Sequence, residues 1–212
     1  MHGKMKSGLV LVFSLVAGIW IYMEYFFNRL PRFFPNMENI EKTILSMAIV
    51  VLTIYVLLKL VLGMATKWDR YALLLAYFTV LIFGLLRPDG QYSIGTGDVS
   101  WNPIAFLSDI QGDRASQWVM MINLIIFVPM YFLLAVSNVL KGFKGRFFLF
   151  QGVAWTLEWM QHILNVGQFD LSDLLLYTVG FLIGYGIALP ILKVGIGRYP
   201  VEAVRYRSMG RG

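Results

Sequence analysis

The chain has 212 residues, of which 58% are hydrophobic and only 14% are charged. Soluble domains have about half apolar and about a quarter charged residues, so this composition indicates a membrane protein. The sequence has no cysteine, which excludes disulfides, thiolate metal sites and cysteine nucleophiles. A net charge of +6 is typical of basic loops that face anionic lipid, and we expect no nucleic-acid binding.

Long apolar segments predict an all-α, polytopic membrane bundle of about six transmembrane helices, each near the roughly 20 residues needed to cross a bilayer. The fifth segment contains Glu158 and is the least hydrophobic, so a five-span bundle is the main alternative. The first segment is too long for the apolar part of a signal peptide, and we expect it to be retained. The predicted spans are 8–27, 44–64, 71–86, 119–140, 147–164 and 171–192.

The distribution of basic residues predicts the orientation of the bundle. Lysine and arginine are concentrated in the N-terminus, in the loops after the second and fourth spans, and in the C-terminal tail. Because basic loops stay on the cytoplasmic side, both termini are expected in the cytoplasm. The loop 88–118 and the turn 165–170 then face outward.

The long outer loop is predicted to contain a short helix. Asn102 suits an N-cap and Pro103 suits the first helical position. Ile104, Leu107 and Ile110 then recur at about one helical turn, so this helix would be amphipathic and lie in the outer membrane interface. Two roles fit it: tying down the loop, or forming part of a binding element.

Polar side chains near the turn between the fifth and sixth spans form the candidate site. Glu158 and Gln161 are one helical turn apart and share a face. Asp170 and Asp173 begin the next helix after a tight turn, so the two helices are expected to be antiparallel neighbours. We therefore expect these four side chains to converge, with Asn123 contributing from the outer start of the fourth span.

Three carboxylates in one place fit two kinds of chemistry and one structural role. Their oxygens can ligate a hard divalent cation, or crowding in a low dielectric can create an acid–base pair. Alternatively, Asp170 caps the sixth helix, Asp173 interacts with its dipole, and Glu158 hydrogen-bonds between helices. Glu158, Asp170 and Asp173 are therefore candidate catalytic residues, and no metal or cofactor is assigned.

Two further features concern helix packing. Pro129 lies within the fourth span and is expected to kink it. Gly180 and Gly184, four residues apart on the sixth span, are expected to allow close backbone approach within the chain.

Five motifs follow one another along the chain: Asn102 with Phe106, Asn123 with Phe127 and Pro129, Glu158 with Gln161, Phe169 with Asp170 and Asp173, and Gly180 with Gly184. In this order they resemble the VanZ-like family of bacterial membrane proteins, named for a member associated with teicoplanin resistance. The resemblance covers roughly residues 71–190, and it marks Asn102, Phe106, Asn123 and Gln161 as candidate binding residues. It implies a four-helix core over 71–192 in a bacterial cytoplasmic membrane, preceded by a two-helix extension over 1–70. The charge distribution adds a basic cytoplasmic tail over 193–212.

The chain departs from the family pattern at four positions. Ala105 stands where the family usually has proline, and Tyr131 stands where it has glycine. Gln168 replaces an arginine and Tyr177 replaces an asparagine. The last two changes alter any anion-binding or polar network carried over from the family, and they indicate a branch with a changed ligand.

The resemblance implies an outward-facing polar pocket and a link to glycopeptide resistance, without a defined reaction. Our leading hypothesis is an accessory envelope protein that lowers glycopeptide action at the outer surface. A membrane-embedded enzyme acting on a lipid or lipid-linked substrate is the second hypothesis, and a structural subunit of an envelope complex is the third. The expected partners are membrane lipid and either a lipid-linked cell-wall precursor or a glycopeptide.

Overall fold

The computed structural model describes residues 2–29, 40–86, 99–112 and 114–194. These residues are mostly helical. The predicted basic tail, 193–212, lies outside them apart from its first two residues. The first helices are α1 (His2–Ile21), α2 (Ile40–Val61) and α3 (Lys67–Leu86). After the strand β1 (Val99–Ser100) come α4 (Phe106–Gln111), α5 (Arg114–Ile126), α6 (Val128–Val136) and α7 (Gly142–Ile163). The strand β2 (Phe169–Asp170) leads directly into α8 (Leu171–Val194).

Five segments of the described chain are long and apolar enough to cross a membrane. They correspond to the predicted first, second, third, fourth and sixth spans, which confirms a helical membrane bundle. The predicted fifth span is α7, which has 22 residues but includes Lys144, Arg146 and Glu158. The number six therefore stays a prediction. The five segments are Lys6–Phe26, Thr43–Val61, Lys67–Leu86, Ser116–Val136 and Leu171–Leu192.

The loop predicted to face outward contains a short helix, α4, as expected, but its start differs. The Ala105 N–H donates to the Asn102 carbonyl oxygen at 3.3 Å, and the Ile104 N–H donates to Asn102 Oδ1 at 3.2 Å. These bonds form a tight turn, so the helix begins at Phe106 rather than directly after Asn102. The position of α4 relative to a membrane interface stays a prediction.

A small parallel strand pair was absent from the all-α prediction. In it, Val99 pairs with Phe169 and Ser100 pairs with Asp170. Strands of two residues carry no periodic sequence signal, so hydrophobic patterning does not reveal them. The pair joins the segment before α4 to the start of α8.

The break between α5 and α6 confirms the kink expected from Pro129. The helix is interrupted at Phe127, and the Met130 N–H donates to the Phe127 carbonyl oxygen at 3.2 Å. The Ile126 carbonyl oxygen accepts a hydrogen bond at 2.9 Å from the Tyr77 hydroxyl group instead. The kink therefore frees a carbonyl oxygen that a side chain of α3 satisfies.

Helix α8 packs directly on this kinked segment. A Cβ atom at Gly180 would overlap the carbonyl oxygen of Leu124, and one at Gly184 would overlap that of Val128. The predicted close approach of two backbones within the chain is therefore confirmed.

The buried face of α7 runs the length of the bundle. It passes from Arg146 through Phe150 and Ala154 to Leu157 and Glu158, close to one residue per turn. The Phe150 ring stacks on Phe181 of α8 with centroids 4.4 Å apart. This aromatic core separates the buried carboxylate near one end of α7 from the buried guanidinium near the other.

Candidate functional site

Glu158 is the centre of the site, and its side chain is 0% exposed. The Tyr177 hydroxyl group donates to Glu158 Oε1 at 2.7 Å. The Asp170 backbone N–H donates to Glu158 Oε2 at 3.2 Å. Each carboxylate oxygen therefore accepts one hydrogen bond from a neutral donor, which orients the group and offsets part of the cost of its burial.

Asp170 holds the start of α8 against α7. Its Oδ1 accepts a hydrogen bond from the Ser172 N–H at 2.8 Å, which is the geometry of an N-cap. Its pairing with Ser100 places the backbone N–H that reaches Glu158. The structural role predicted for Asp170 is therefore present in the fold.

Asp173 completes the group of three carboxylates. It lies in the first turn of α8, where an acidic side chain interacts favourably with the helix dipole. Asp170 meets Glu158 through its backbone N–H, and Asp173 lies one turn before Tyr177, whose hydroxyl group donates to Glu158. Glu158 is buried and the two aspartates are half-buried, and the convergence of the three carboxylate groups themselves stays a prediction.

Tyr177 is a site residue that the sequence reasoning noted only as a departure from the family pattern and did not assign to the site. Its hydroxyl group is the closest donor to Glu158, and its ring packs against Phe127 with centroids 4.7 Å apart. Tyr177 follows Asp173 by four residues, so both lie on one face of α8. That spacing is the signal by which the sequence could have identified it.

The four candidate binding residues have different surroundings. Gln161 Nε2 donates to the Leu85 carbonyl oxygen at 2.8 Å, so this amide group links α7 to the end of α3. Asn102 is exposed and caps its own loop, while Phe106 is half-buried at the start of α4. Asn123 is 6% exposed on α5, one turn before the kink.

An aromatic cluster borders the carboxylates. Phe169, immediately before Asp170, is 0% exposed. Its ring lies 5.4 Å from Trp101, 5.7 Å from Trp155 and 5.0 Å from Trp159, measured between centroids. The cluster joins β1, α7 and β2, and it covers the side of the site where α8 begins.

The geometry distinguishes between the predicted chemistries. Among the described residues, no three histidine, aspartate or glutamate side chains are arranged to hold a metal ion. Ligation of a divalent cation by Glu158, Asp170 and Asp173 is therefore not supported. A buried carboxylate beside two accessible ones, with a hydroxyl group in contact, fits an acid–base or an orienting role.

Two of the four residues that depart from the family pattern, Tyr131 and Tyr177, contact buried ionisable side chains. Tyr177 bonds to Glu158, and Tyr131 accepts a hydrogen bond from Arg146 Nη1 at 3.4 Å. Gln168 is exposed and Ala105 lies in the turn before α4. The two tyrosines are therefore the departures that alter the interior of the bundle.

The family model described as VanZ/LLP1 matches residues 68–193. No curated protein and no solved structure is significantly similar to the chain. The matched range holds nearly all of α3 to α8, including every residue of the site, and leaves α1 and α2 outside.

Proposed function

The chain belongs to the VanZ/LLP1 family, and from this premise we propose that it is a bacterial envelope protein that lowers the action of teicoplanin-type glycopeptides. It is a multi-pass protein of the cytoplasmic membrane, with both termini in the cytoplasm. The distribution of basic residues supports this orientation. In it, the turn between α7 and α8 faces outward, towards the side where glycopeptides and cell-wall precursors are found.

The observation that carries this proposal is the buried carboxylate of Glu158. An ionisable group at membrane depth is costly, so such residues usually serve a function. Above Glu158, the half-buried Asp170 and Asp173 provide the accessible polar atoms of an outward-facing pocket. Glu158 and Tyr177 then set the position of α8 relative to α7, and with it the position of both aspartates.

The test is deletion of the gene in its host, followed by complementation. Deletion should increase sensitivity to teicoplanin, and the wild-type gene should restore resistance. Glu158→Gln should fail to restore it, because an amide group cannot accept both hydrogen bonds that the carboxylate accepts. Glu24→Gln is the matched control, since Glu24 is exposed near the end of α1.

Immunoblots of the membrane fraction must show equal amounts of each variant. Unchanged sensitivity to all glycopeptides after deletion would contradict the proposal.

The second candidate function is a membrane-embedded enzyme acting on a lipid or lipid-linked cell-wall substrate. The observation in its favour is that the buried Glu158 carboxyl group accepts hydrogen bonds from the Tyr177 hydroxyl group and the Asp170 backbone N–H, an arrangement that suits an acid–base group. Glu158→Gln and Asp173→Asn should then each abolish turnover of a lipid-linked precursor while the protein remains inserted. Full activity of both variants would exclude carboxylate chemistry.

A fixed partner that co-purifies, with tolerance of both substitutions, would favour a structural subunit.

A further inference from the structure

A second buried charge lies towards the opposite end of α7. The buried charged side chains in the described part of the chain are Lys59, Arg146 and Glu158. Lys59 forms an ion pair with Asp69, with Nζ and Oδ2 2.5 Å apart. Arg146 is only 7% exposed and differs from Lys59 in its partners.

Among the residues that the structure describes, Arg146 contacts only neutral groups. Its Nε donates to the Val139 carbonyl oxygen at 3.3 Å and its Nη1 donates to the Tyr131 hydroxyl group at 3.4 Å. The guanidinium carbon lies 5.5 Å from the centre of the Tyr131 ring. A buried cation is normally paired with an anion, because neutral contacts offset only part of its desolvation.

One amino group of Arg146 is available to a ligand. The hydrogen bonds of this residue use Nε and Nη1, and Nη2 has no partner among the described residues. Within the same residues, no fully buried side-chain nitrogen atom lacks a hydrogen bond. It follows that Nη2 keeps some accessible surface, whereas Nε and Nη1 are hydrogen-bonded within the fold.

The depth of Arg146 indicates which anion can reach it. The apolar segment that includes α6 ends at Val136, and α7 begins at Gly142. Arg146 is four residues into α7, about 6 Å along its axis from that start. In the proposed topology, with the segment containing α5 and α6 and then α7 as successive spans, this position lies at the boundary between acyl chains and headgroups, where the abundant anions are lipid phosphates.

We propose that Arg146 forms a binding site for the phosphate group of an anionic phospholipid. The N–H groups of Nη2 donate to phosphate oxygens and the lipid supplies the missing negative charge. Tyr131 forms one wall of the site. The site is distinct from the carboxylate group around Glu158.

The experiment measures thermal unfolding of the purified chain in a non-ionic detergent with added phosphatidylglycerol. Phosphatidylglycerol should stabilise the wild type, and Arg146→Gln should need about tenfold more lipid for the same shift, as for loss of one charged hydrogen bond. Lys144→Gln is the matched control, because it removes the same charge from an exposed position one turn or less away. Equal responses of Arg146→Gln and Lys144→Gln would overturn the proposal.

A second measurement avoids substitution altogether. Phenylglyoxal modifies accessible guanidinium groups, and peptide mass spectrometry follows Arg146 and the exposed Arg114 in the same wild-type sample. Phosphatidylglycerol should slow modification of Arg146 several-fold and leave Arg114 unchanged, whereas phosphatidylcholine should protect less. Protection by inorganic phosphate but not by lipid would reassign the site to a free phosphate. Absence of protection by either compound would refute an anion site at Arg146.

Discussion

The Tyr177 hydroxyl group lies 2.7 Å from Glu158 Oε1, and this contact joins α7 to α8 inside the bundle. Both side chains are 0% exposed. The bond therefore lies in a low dielectric, where a hydrogen bond is electrostatically stronger than in water. Around it, the backbone of Asp170 supplies the second donor, so one tyrosine and one strand residue together orient the carboxylate.

Tyr177→Phe should destabilise the protein, because it removes one of the two donors to a buried carboxylate. We expect a loss of about 1.5–3 kcal/mol in the free energy of unfolding, measured by titration with SDS in mixed micelles. Tyr185→Phe is the control, since Tyr185 contacts Tyr131 and Phe143 through its ring. Equal stability of Tyr177→Phe and Tyr185→Phe would show that the bond contributes nothing.

Gly184→Ala should be strongly destabilising, because its Cβ atom would overlap the Val128 carbonyl oxygen. Separating the two backbones should cost about 1–3 kcal/mol or more. Gly186→Ala is matched in chemistry and helix, and nothing lies within 4 Å of its added Cβ atom. It should be neutral or stabilising, by up to about 1 kcal/mol, because alanine favours helix. Thermal unfolding of both variants measures the difference between their stabilities. Equal stabilities of Gly184→Ala and Gly186→Ala would show that α8 does not pack on α5 and α6 in this way.

The Lys59–Asp69 ion pair should couple α2 to α3. Removing either charge alone leaves the other poorly compensated, so Lys59→Met or Asp69→Asn should each cost about 2 kcal/mol or more. The double variant should recover part of this loss. A double-mutant cycle on unfolding free energies measures the coupling, and strictly additive effects would mean that the two charges do not interact.

Tyr77→Phe should destabilise by about 1 kcal/mol, since the Ile126 carbonyl oxygen loses its hydroxyl donor. The effect should depend on the kink. In a Pro129→Ala background, a backbone N–H returns and α5 and α6 can form one continuous helix. The loss of stability caused by Tyr77→Phe should then be smaller. An equal loss in the Pro129→Ala background would show that the Tyr77 hydrogen bond does not depend on the kink at Pro129.

Hydrophobic patterning alone identified five of the helices that could cross the membrane, because a span needs only length and apolar composition. Whether α7 also crosses the membrane was ambiguous for the same reason, because its buried face carries the ionisable residues Arg146 and Glu158. The helix-packing glycines and the kink at Pro129 were also predictable. Each depends on a local property of one residue, the absence of a Cβ atom or of an N–H group.

The contacts across the bundle were not predictable in this way. Nothing in the spacing shows that Gln161 bonds to Leu85 or that Ser100 pairs with Asp170. These partners are far apart in the chain, and their meeting depends on how whole helices pack.

What the sequence determined by itself was the helical membrane class, its family and the cluster of acidic residues around one tight turn. A local pattern suffices for these, since neighbouring residues on a helix share a face whatever surrounds them. Only the tertiary structure decided which groups surround the buried ionisable side chains: hydrogen bonds from Tyr177 and a strand N–H for Glu158, an ion pair with Asp69 for Lys59, and hydrogen bonds to neutral groups for Arg146, which has no carboxylate partner in the described residues. The reason is physical. Electrostatic compensation in a low dielectric acts over a few ångströms of space, and that distance is set by packing rather than by position along the chain.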